Sequence, residues 1–271
     1  MNLLQAIGLG IVEGLTEFLP VSSTGHLTIT EKLMGLPIDA DSITAFTAVV
    51  QFGAIVAVLL FFRDDILGLV RAALAGVRDP AARRTSEWNL VLAVVIGSIP
   101  IGIVGLAAKD VISGDLRSLW VVAFALLAWS PVMVFAERRA SARRTQEDLR
   151  LQDAVVIGVV QAIALVPGVS RSGATISAGL LRGFDRVAAT RLSFFLSIPA
   201  LTAAGLYELK DALSGGVGLG PTLVGTVVAF FVAYASIAWL LRFVAHHSIA
   251  AFVPYRVGLA IVVIVVLSVN G

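Results

Sequence analysis

Two carboxylates, a cluster of hydroxyls and a histidine fall within residues 13–26, directly after an apolar run. Glu13 and Glu17 are four positions apart, so on a helix they share one face. Like charges at this spacing repel, and charge at membrane depth is costly, so the pair requires a cation, a shared proton or a water-filled cavity. Because carboxylate oxygens suit Mg²⁺ and Ca²⁺, the two glutamates are candidate ligands for a divalent cation.

The helical pattern breaks directly after these glutamates, at Pro20 and again at Gly25. The break predicts an irregular turn that carries Ser22, Ser23, Thr24 and His26. Irregular backbone at membrane depth persists only where it is buried in protein or lines a cavity. The stretch therefore predicts a polar site inside a membrane protein. Its nucleophile is Ser23, His26 or a water, with His26 or Glu17 as the base.

A second stretch with the same plan follows 148 positions later. A gap-free alignment pairs Glu13 with Gln161, Ser22 with Ser170 and Thr24 with Ser172. Instead of acids and a histidine, this copy has an arginine between serines at the predicted start of a helix. A guanidinium, hydroxyls and free N–H groups at a helix N-terminus form an anion site suited to phosphate. The candidate phosphate-binding residues are Ser22, Thr24, Ser170, Arg171, Ser172 and Thr175.

Composition indicates a polytopic membrane protein: 58% of the residues are hydrophobic and only 14% are charged, with a mean hydropathy of +0.95. The chain has no cysteine, which excludes disulfides and thiolate metal sites. No Ala-x-Ala cleavage site follows the first apolar segment, so we expect that segment to stay in the mature protein. No nucleic-acid motif, phosphate-binding Walker loop or dinucleotide fingerprint is present.

The predicted fold is an all-α polytopic membrane protein of one domain, 1–271, built as an inverted-topology repeat. Repeat 1 covers about 1–136 and repeat 2 about 153–271, each with one re-entrant helical hairpin and three transmembrane helices. The predicted hairpins lie at 2–34 and 153–181, and the six spans at 45–62, 88–108, 118–136, 190–207, 221–241 and 253–269. Because a hairpin returns to its own side, each half crosses three times and the second half must be inverted.

Charge placement predicts the orientation. Fifteen of the 20 Lys and Arg residues fall on one side, including Arg256 in a loop at 242–256, and Arg171 lies at a hairpin tip. The opposite side receives Lys32, Lys109, Arg117 and Lys210. By the positive-inside rule the first side is cytoplasmic, so the first hairpin and the site open to the outer, periplasmic side.

The segments 13–26 and 167–175 resemble the two signature motifs of the bacitracin-resistance type undecaprenyl diphosphatase. The resemblance extends over nearly the whole chain in length, motif order and hydropathy. It implies a bacterial inner-membrane enzyme that removes the terminal phosphate of undecaprenyl diphosphate, regenerates the lipid carrier for peptidoglycan synthesis, depends on a divalent cation and confers bacitracin resistance. It marks as active-site residues Glu13, Glu17, Ser23, His26, Ser170, Arg171 and Thr175.

The expected partners are the polyprenyl diphosphate substrate and membrane lipid, without nucleic acid; the oligomeric state, monomer or homodimer, is left open. A rival interpretation is a lipid flippase or transporter without hydrolysis, which an inverted repeat favours by fold analogy alone. A pure transporter has no need of paired carboxylates, a histidine and an arginine around one phosphate site. That residue set therefore favours the enzyme.

Overall fold

The structure is a computed structural model that describes residues 1–38, 40–213 and 217–270, with the side chains of 113, 115, 208–213 and 270 outside the description. The α-helices of this part of the chain are α1 Leu3–Thr16, α2 Ser23–Leu33, α3 Asp41–Phe61, α4 Arg63–Arg78, α5 Ser86–Ala107, α6 Lys109–Ser113, α7 Leu119–Arg139, α8 Leu151–Ile163, α9 Arg171–Leu181, α10 Arg186–Leu213, α11 Leu219–His246 and α12 Val253–Asn270. Within the described ranges, six helices are long and apolar enough to cross a membrane: α3, α5, α7, α10, α11 and α12. The predicted all-α polytopic fold is confirmed.

Two pairs of shorter helices correspond to the predicted hairpins. Helices α1 and α8 have 14 and 13 residues, and α2 and α9 have 11 each, whereas crossing a bilayer takes about 20. Residues 17–22, the first tip, join α1 to α2, and residues 164–170, the second tip, join α8 to α9. Helix α1 packs on α2 and α8 packs on α9. Entry of the two hairpins from opposite membrane faces stays a prediction.

Each hairpin packs against a long helix of the other half, α1 against α11 and α8 against α5. Glycines allow the close approach: a Cβ at Gly10 would lie 2.5 Å from Gly225 O, and one at Gly158 would lie 2.5 Å from Gly97 O. Backbones in such contact gain van der Waals packing, the main attraction between helices in lipid. These contacts fix the position of each hairpin against its long helix.

Aromatic packing anchors the first tip in the core. Phe18 is fully buried, and its ring meets the edge of Phe194 on α10 at a centroid distance of 5.1 Å. Phe62 extends the cluster, contacting Phe194 and Phe195 at 5.9 and 5.2 Å. Such edge-on aromatic pairs have a preferred geometry, so they restrict how the tip is oriented.

Ion pairs anchor the far end of the second hairpin. Asp153 near the start of α8 is fully buried and accepts hydrogen bonds from Arg144 (2.5 Å) and from Arg182 at the end of α9 (2.7 Å). The Arg144 guanidinium also lies over the Phe184 ring, 4.3 Å from its centroid. A buried carboxylate with two arginine partners is satisfied, and losing both would leave an unpaired charge. The network ties the segment between the two halves to the base of the hairpin.

Candidate active site

The first tip ends at Ser22, which has a φ of 75° and caps α2. Its hydroxyl oxygen accepts hydrogen bonds from Gly25 N (3.4 Å) and, across the site, from Gly168 N in the second tip (3.0 Å). A positive φ is unfavourable for a residue with a side chain, so these contacts must hold it in place. Because Ser22 is the cap, the predicted irregular turn is shorter than expected, and the first turn of α2 contains Ser23, Thr24 and His26.

The second tip ends in the same way. Ser170 has a φ of 79°, caps α9 and accepts a hydrogen bond from Gly173 N (3.1 Å), matching Ser22, with which the alignment pairs it. Its hydroxyl lies 3.1 Å from that of Ser172, and Ser172 donates to Leu19 O in the first tip (2.8 Å). Each tip therefore uses a serine to hold the backbone of the other.

Glu17 is the centre of the polar cluster between the tips. Ser23 Oγ donates to Glu17 Oε2, and Arg171 Nη2 donates to Glu17 Oε1 at 2.8 Å. Both side chains of this ion pair are largely buried. The second guanidinium nitrogen, Arg171 Nη1, is buried without a partner among the described residues. One carboxylate thus contacts a candidate nucleophile and a guanidinium that has a donor left for an anion.

These side chains line a cavity of about 140 Å³. Its polar wall consists of Glu17, Ser22, Ser23, Thr24, Gln51, Ser170 and Arg171. Its apolar wall consists of Ile101, Ala164, Leu165, Ala200, Leu201 and Ala204. Helices α2 and α9 both begin at the polar wall, so two helix N-termini meet there, an arrangement that favours an anion.

A larger cavity, of about 440 Å³, is lined by four acidic residues: Asp64, Asp65, Glu87 and Glu147. Asp65 is already paired with Arg191 at 2.6 Å. Like charges would repel a phosphate ligand there. The smaller cavity between the tips is therefore the candidate active site.

Glu13 lies behind the cavity wall, one turn from Glu17. It is fully buried, and neither carboxylate oxygen has a hydrogen-bond partner among the described residues. Its aligned counterpart Gln161 is also fully buried, and its amide donates to Gly97 O at 3.3 Å. A buried, unpartnered carboxylate needs a proton or a cation.

His26 points away from the Ser23–Glu17 contact. Its Nδ1 lies 2.7 Å from Ser22 O and its Nε2 lies 2.7 Å from Tyr255 OH on α12, with the two rings stacked. Since a carbonyl only accepts, we assign the proton to Nδ1, and the tyrosine hydroxyl then donates to Nε2. His26 is not on the cavity wall, so the structure gives no support to its predicted role as nucleophile or base.

Two of the predicted phosphate ligands also lie outside the cavity wall. Ser172 is engaged with the first tip, and Thr175 Oγ1 lies 2.8 Å from Arg171 O and 2.7 Å from Ser193 Oγ on α10. These hydroxyls hold the backbone that carries Arg171. The predicted ligands on the wall are Ser22, Thr24, Ser170 and Arg171.

The placement of Arg256 in a cytoplasmic loop was wrong. The residue lies within α12, is fully buried, and donates to backbone carbonyls of both tips. It was misplaced because it lies only fourteen residues from Arg242, so both were counted in one basic loop. The available signal was that the predicted span 253–269 already contained Arg256, because an arginine inside a membrane segment is usually functional.

Comparison with known proteins identifies the family of this chain. The sequence model of the family described as "Bacitracin resistance protein BacA" matches residues 6–262. A protein of Acidothermus cellulolyticus named Undecaprenyl-diphosphatase is 58% identical over 269 residues, covering 99% of this chain and 98% of its own. Undecaprenyl-diphosphatase 1 of Streptomyces avermitilis is 54% identical (97% and 96% covered), and Undecaprenyl-diphosphatase of Mycobacterium sp. strain KMS is 48% identical (99% and 98% covered).

The family match covers both hairpins and the six long helices except for the start of α1 and the end of α12. The relatives are similar over nearly their whole length, so the likeness is not confined to the two motifs. The chain belongs to the bacitracin resistance protein BacA family.

Proposed function

We propose that this protein is an undecaprenyl-diphosphate phosphatase, which converts undecaprenyl diphosphate to undecaprenyl phosphate and inorganic phosphate, recycles the carrier for peptidoglycan synthesis and so confers bacitracin resistance. The observation that carries the proposal is the contact of Glu17 with both Ser23 and Arg171 at one cavity. The name of the relatives, undecaprenyl-diphosphatase, points to the same reaction. The flippase alternative is not favoured, because transport alone does not require a hydroxyl activated by a carboxylate.

The polar wall suits a diphosphate. Two helix N-termini and the N–H groups of Arg171 Nη1 supply donors to phosphate oxygens, while Nη2 stays with Glu17. Phosphoryl transfer depends mainly on positioning and on stabilising charge at the transferred group. Arg171, held by Glu17, is the residue we assign to that charge.

Ser23 is the nucleophile in our mechanism, and Glu17 is its base. Ser23 Oγ transfers its proton to Glu17 Oε2 and bonds to the terminal phosphorus, while the phosphoanhydride bond breaks and undecaprenyl phosphate leaves. Water then attacks the phosphoserine, Ser23 takes the proton back from Glu17, and inorganic phosphate leaves with release of one proton. His26, whose ring nitrogens are both engaged elsewhere, takes no proton in this scheme.

The apolar wall supports a polyprenyl substrate. Its small residues on α10, Ala200 and Ala204, follow the internal Pro199, and Ile101 follows the internal Pro100 of α5. A proline removes one backbone hydrogen bond and bends a helix, so both helices can separate locally. We assign this wall to the first isoprene units, with the rest of the tail in lipid.

A divalent cation, Mg²⁺ or Ca²⁺, is the proposed cofactor, and Glu13 is the residue best suited to hold it. Both of its oxygens are buried without a partner in the described part of the chain, whereas both oxygens of Glu17 are engaged. No group of three acidic, His or Cys residues suited to a metal occurs among the described residues. Mg²⁺ commonly binds to one or two carboxylates and completes its shell with water and substrate phosphate. When bound, it would neutralise charge on the diphosphate.

Phosphate release by the purified protein tests the function and the cofactor together. We expect farnesyl diphosphate, a C15 analogue, to yield phosphate in Mg²⁺ or Ca²⁺ and to be spared in EDTA. Glu13→Gln keeps the shape of the side chain but removes its charge, so it should need about tenfold more cation for half-maximal rate, by about 1.4 kcal/mol of lost binding.

The matched control is Gln161→Met, which removes the buried amide at the aligned position without adding a charge and should leave the cation requirement unchanged. Release of phosphate that EDTA does not affect would remove the cation from the proposal. Binding of the diphosphate without release would favour the flippase.

The proposed orientation has the site opening to the outer side of the bacterial inner membrane. With Arg256 removed from the count, fourteen cations on the proposed cytoplasmic side still outnumber four on the other. The chain lacks cysteine, so single substitutions report position cleanly. Lys109→Cys should react with an impermeant maleimide on intact cells, and Arg83→Cys only after permeabilisation. The reverse pattern would contradict this orientation.

A further inference from the structure

Arg256 joins the two tips and α7 at one buried point. Its Nη1 donates to Pro20 O in the first tip (3.0 Å), and its Nη2 donates to Gly168 O (3.0 Å) and Val169 O (3.2 Å) in the second. The same guanidinium contacts α7, at Leu126 O (3.4 Å) and Ser130 Oγ (3.3 Å). Five oxygens from three parts of the fold thus surround one side chain.

None of the hydrogen-bond acceptors of Arg256 within the described chain is a carboxylate. The side chain is fully buried, so its charge is balanced by backbone dipoles and one hydroxyl rather than by an ion pair. A charge buried in this way is costly. Since a neutral side chain could fill the space at lower cost, the contacts themselves need a functional explanation.

The chemistry of the site depends on the position of the first tip relative to the second. Ser23 is the first residue of α2 and Arg171 the first of α9, so each takes its position from the tip before it. They meet at Glu17 only if both tips are held at the correct separation. The capping serines are in an unfavourable backbone conformation, which the surroundings must maintain.

The residue before Arg256 adds a contact to the same region. Tyr255 OH lies 2.7 Å from His26 Nε2, one turn beyond the cap of α2. The start of α12 therefore contacts the first hairpin through Tyr255 and both tips through Arg256.

We propose that Arg256 is a positioning residue, whose guanidinium fixes the two tips to each other so that Ser23 and Arg171 face the same phosphate. The proposal deepens the phosphatase function and rests on it for its kinetic test. The fork geometry is essential, since two separate nitrogens reach the two tips. A lysine would keep the charge, but its single nitrogen cannot occupy both places.

Arg256→Lys is the main test. We expect kcat on farnesyl diphosphate to fall by about a hundredfold, as small misplacements of reacting groups do, with KM changed by less than about threefold. A residue that only contributed positive field would raise KM on neutralisation and tolerate lysine. The matched control is Arg191→Lys, at a half-buried arginine that pairs with Asp65 and Gln146, and it should retain wild-type kcat and KM.

A distance measurement separates positioning from folding. Thr24 and Leu165 both line the cavity, one from each hairpin. Spin labels attached at T24C and L165C should show dipolar broadening when Arg256 is present and less broadening when Arg256→Lys is added. Three results for a folded Arg256→Lys protein would each overturn the proposal: an unchanged kcat, a change in KM alone, or unchanged dipolar broadening.

If Arg256→Lys does not fold, Ser130→Ala decides. It removes one hydroxyl that orients the guanidinium and should lower kcat by about fivefold at constant KM, because a loosely held arginine positions less well. Unchanged kcat in that variant would overturn the proposal. If the wild-type protein does not hydrolyse the diphosphate, the proposed phosphatase function is wrong. The broadening measurement then still tests whether Arg256 holds the two tips together.

Discussion

Arg171→Lys should leave the protein nearly inactive although the positive charge is kept. The two terminal nitrogens of the guanidinium have different roles: Nη2 donates to Glu17, and Nη1, which has no partner among the described residues, can donate to the substrate. A lysine ammonium can serve one of these partners but not both in the same plane. Losing one transition-state donor typically costs about a hundredfold or more in kcat, so we expect at least that loss, or about 2.7 kcal/mol.

Steady-state phosphate release measures the effect, and a thermal unfolding curve shows whether the variant is folded. Arg182→Lys is the matched control. Arg182 lies at the other end of α9 and contacts Asp153, not Glu17. Its activity should stay close to wild type, since Arg144 still pairs with Asp153. Activity of Arg171→Lys above about a tenth of wild type would mean that the residue supplies charge and need not contact Glu17 and the phosphate together.

The meeting of Glu17, Ser23 and Arg171 was predictable because its determinants are local. Proline, glycine and serine define where each hairpin turns, and a helix N-terminus is where an arginine and hydroxyls form an anion site. The alignment of the two stretches then brings the tips into correspondence, and Ser22 and Ser170 do share an unusual backbone conformation. Spacing along the chain was enough to name the residues that the two motifs contribute to the polar wall, but not Gln51 on α3, which lies outside both motifs.

The direction of each side chain was not predictable from spacing. Ser172 and Thr175 carry the right hydroxyls, but they bond Leu19 O and the backbone of α9 instead of facing the cavity. His26 follows Ser22 by one turn, yet it faces Tyr255, which is 229 positions away. Those contacts depend on how α12 and α10 pack, and no pattern within either motif contains that information.

Arg256 illustrates the same limit more sharply. Its partner Pro20 is 236 positions away, and its position just inside an apolar stretch looked like the end of a basic loop. Counting charges by side assumes that each arginine near a span end is in water. Arg256 does not meet that assumption, because its guanidinium donates to backbone carbonyls of the two tips. Only the folded chain brings those carbonyls to one place.

If Ser23 is the nucleophile, Ser23→Ala should lower kcat by a factor on the order of a thousand or more. Ser23 Oγ donates to Glu17, which places a proton acceptor at the attacking oxygen. Thr24→Ala is the matched control: it removes a neighbouring hydroxyl from the cavity wall and should cost only about tenfold, as the loss of one hydrogen bond to a charged group does. His26→Ala should cost less than Ser23→Ala, since the imidazole does not contact the reacting pair.

The covalent intermediate distinguishes the three candidate nucleophiles. Acid quenching during turnover of substrate labelled at the terminal phosphate should trap an acid-stable phosphoserine, which Ser23→Ala and Glu17→Gln should both lose. An acid-labile phosphohistidine would transfer the role to His26 and would require its ring to leave Tyr255 and turn toward the cavity. If Ser23→Ala lost no more activity than Thr24→Ala and no phosphoenzyme formed, water would be the attacker. Glu17 would then deprotonate that water, while Ser23 would remain a hydrogen-bond donor to the carboxylate.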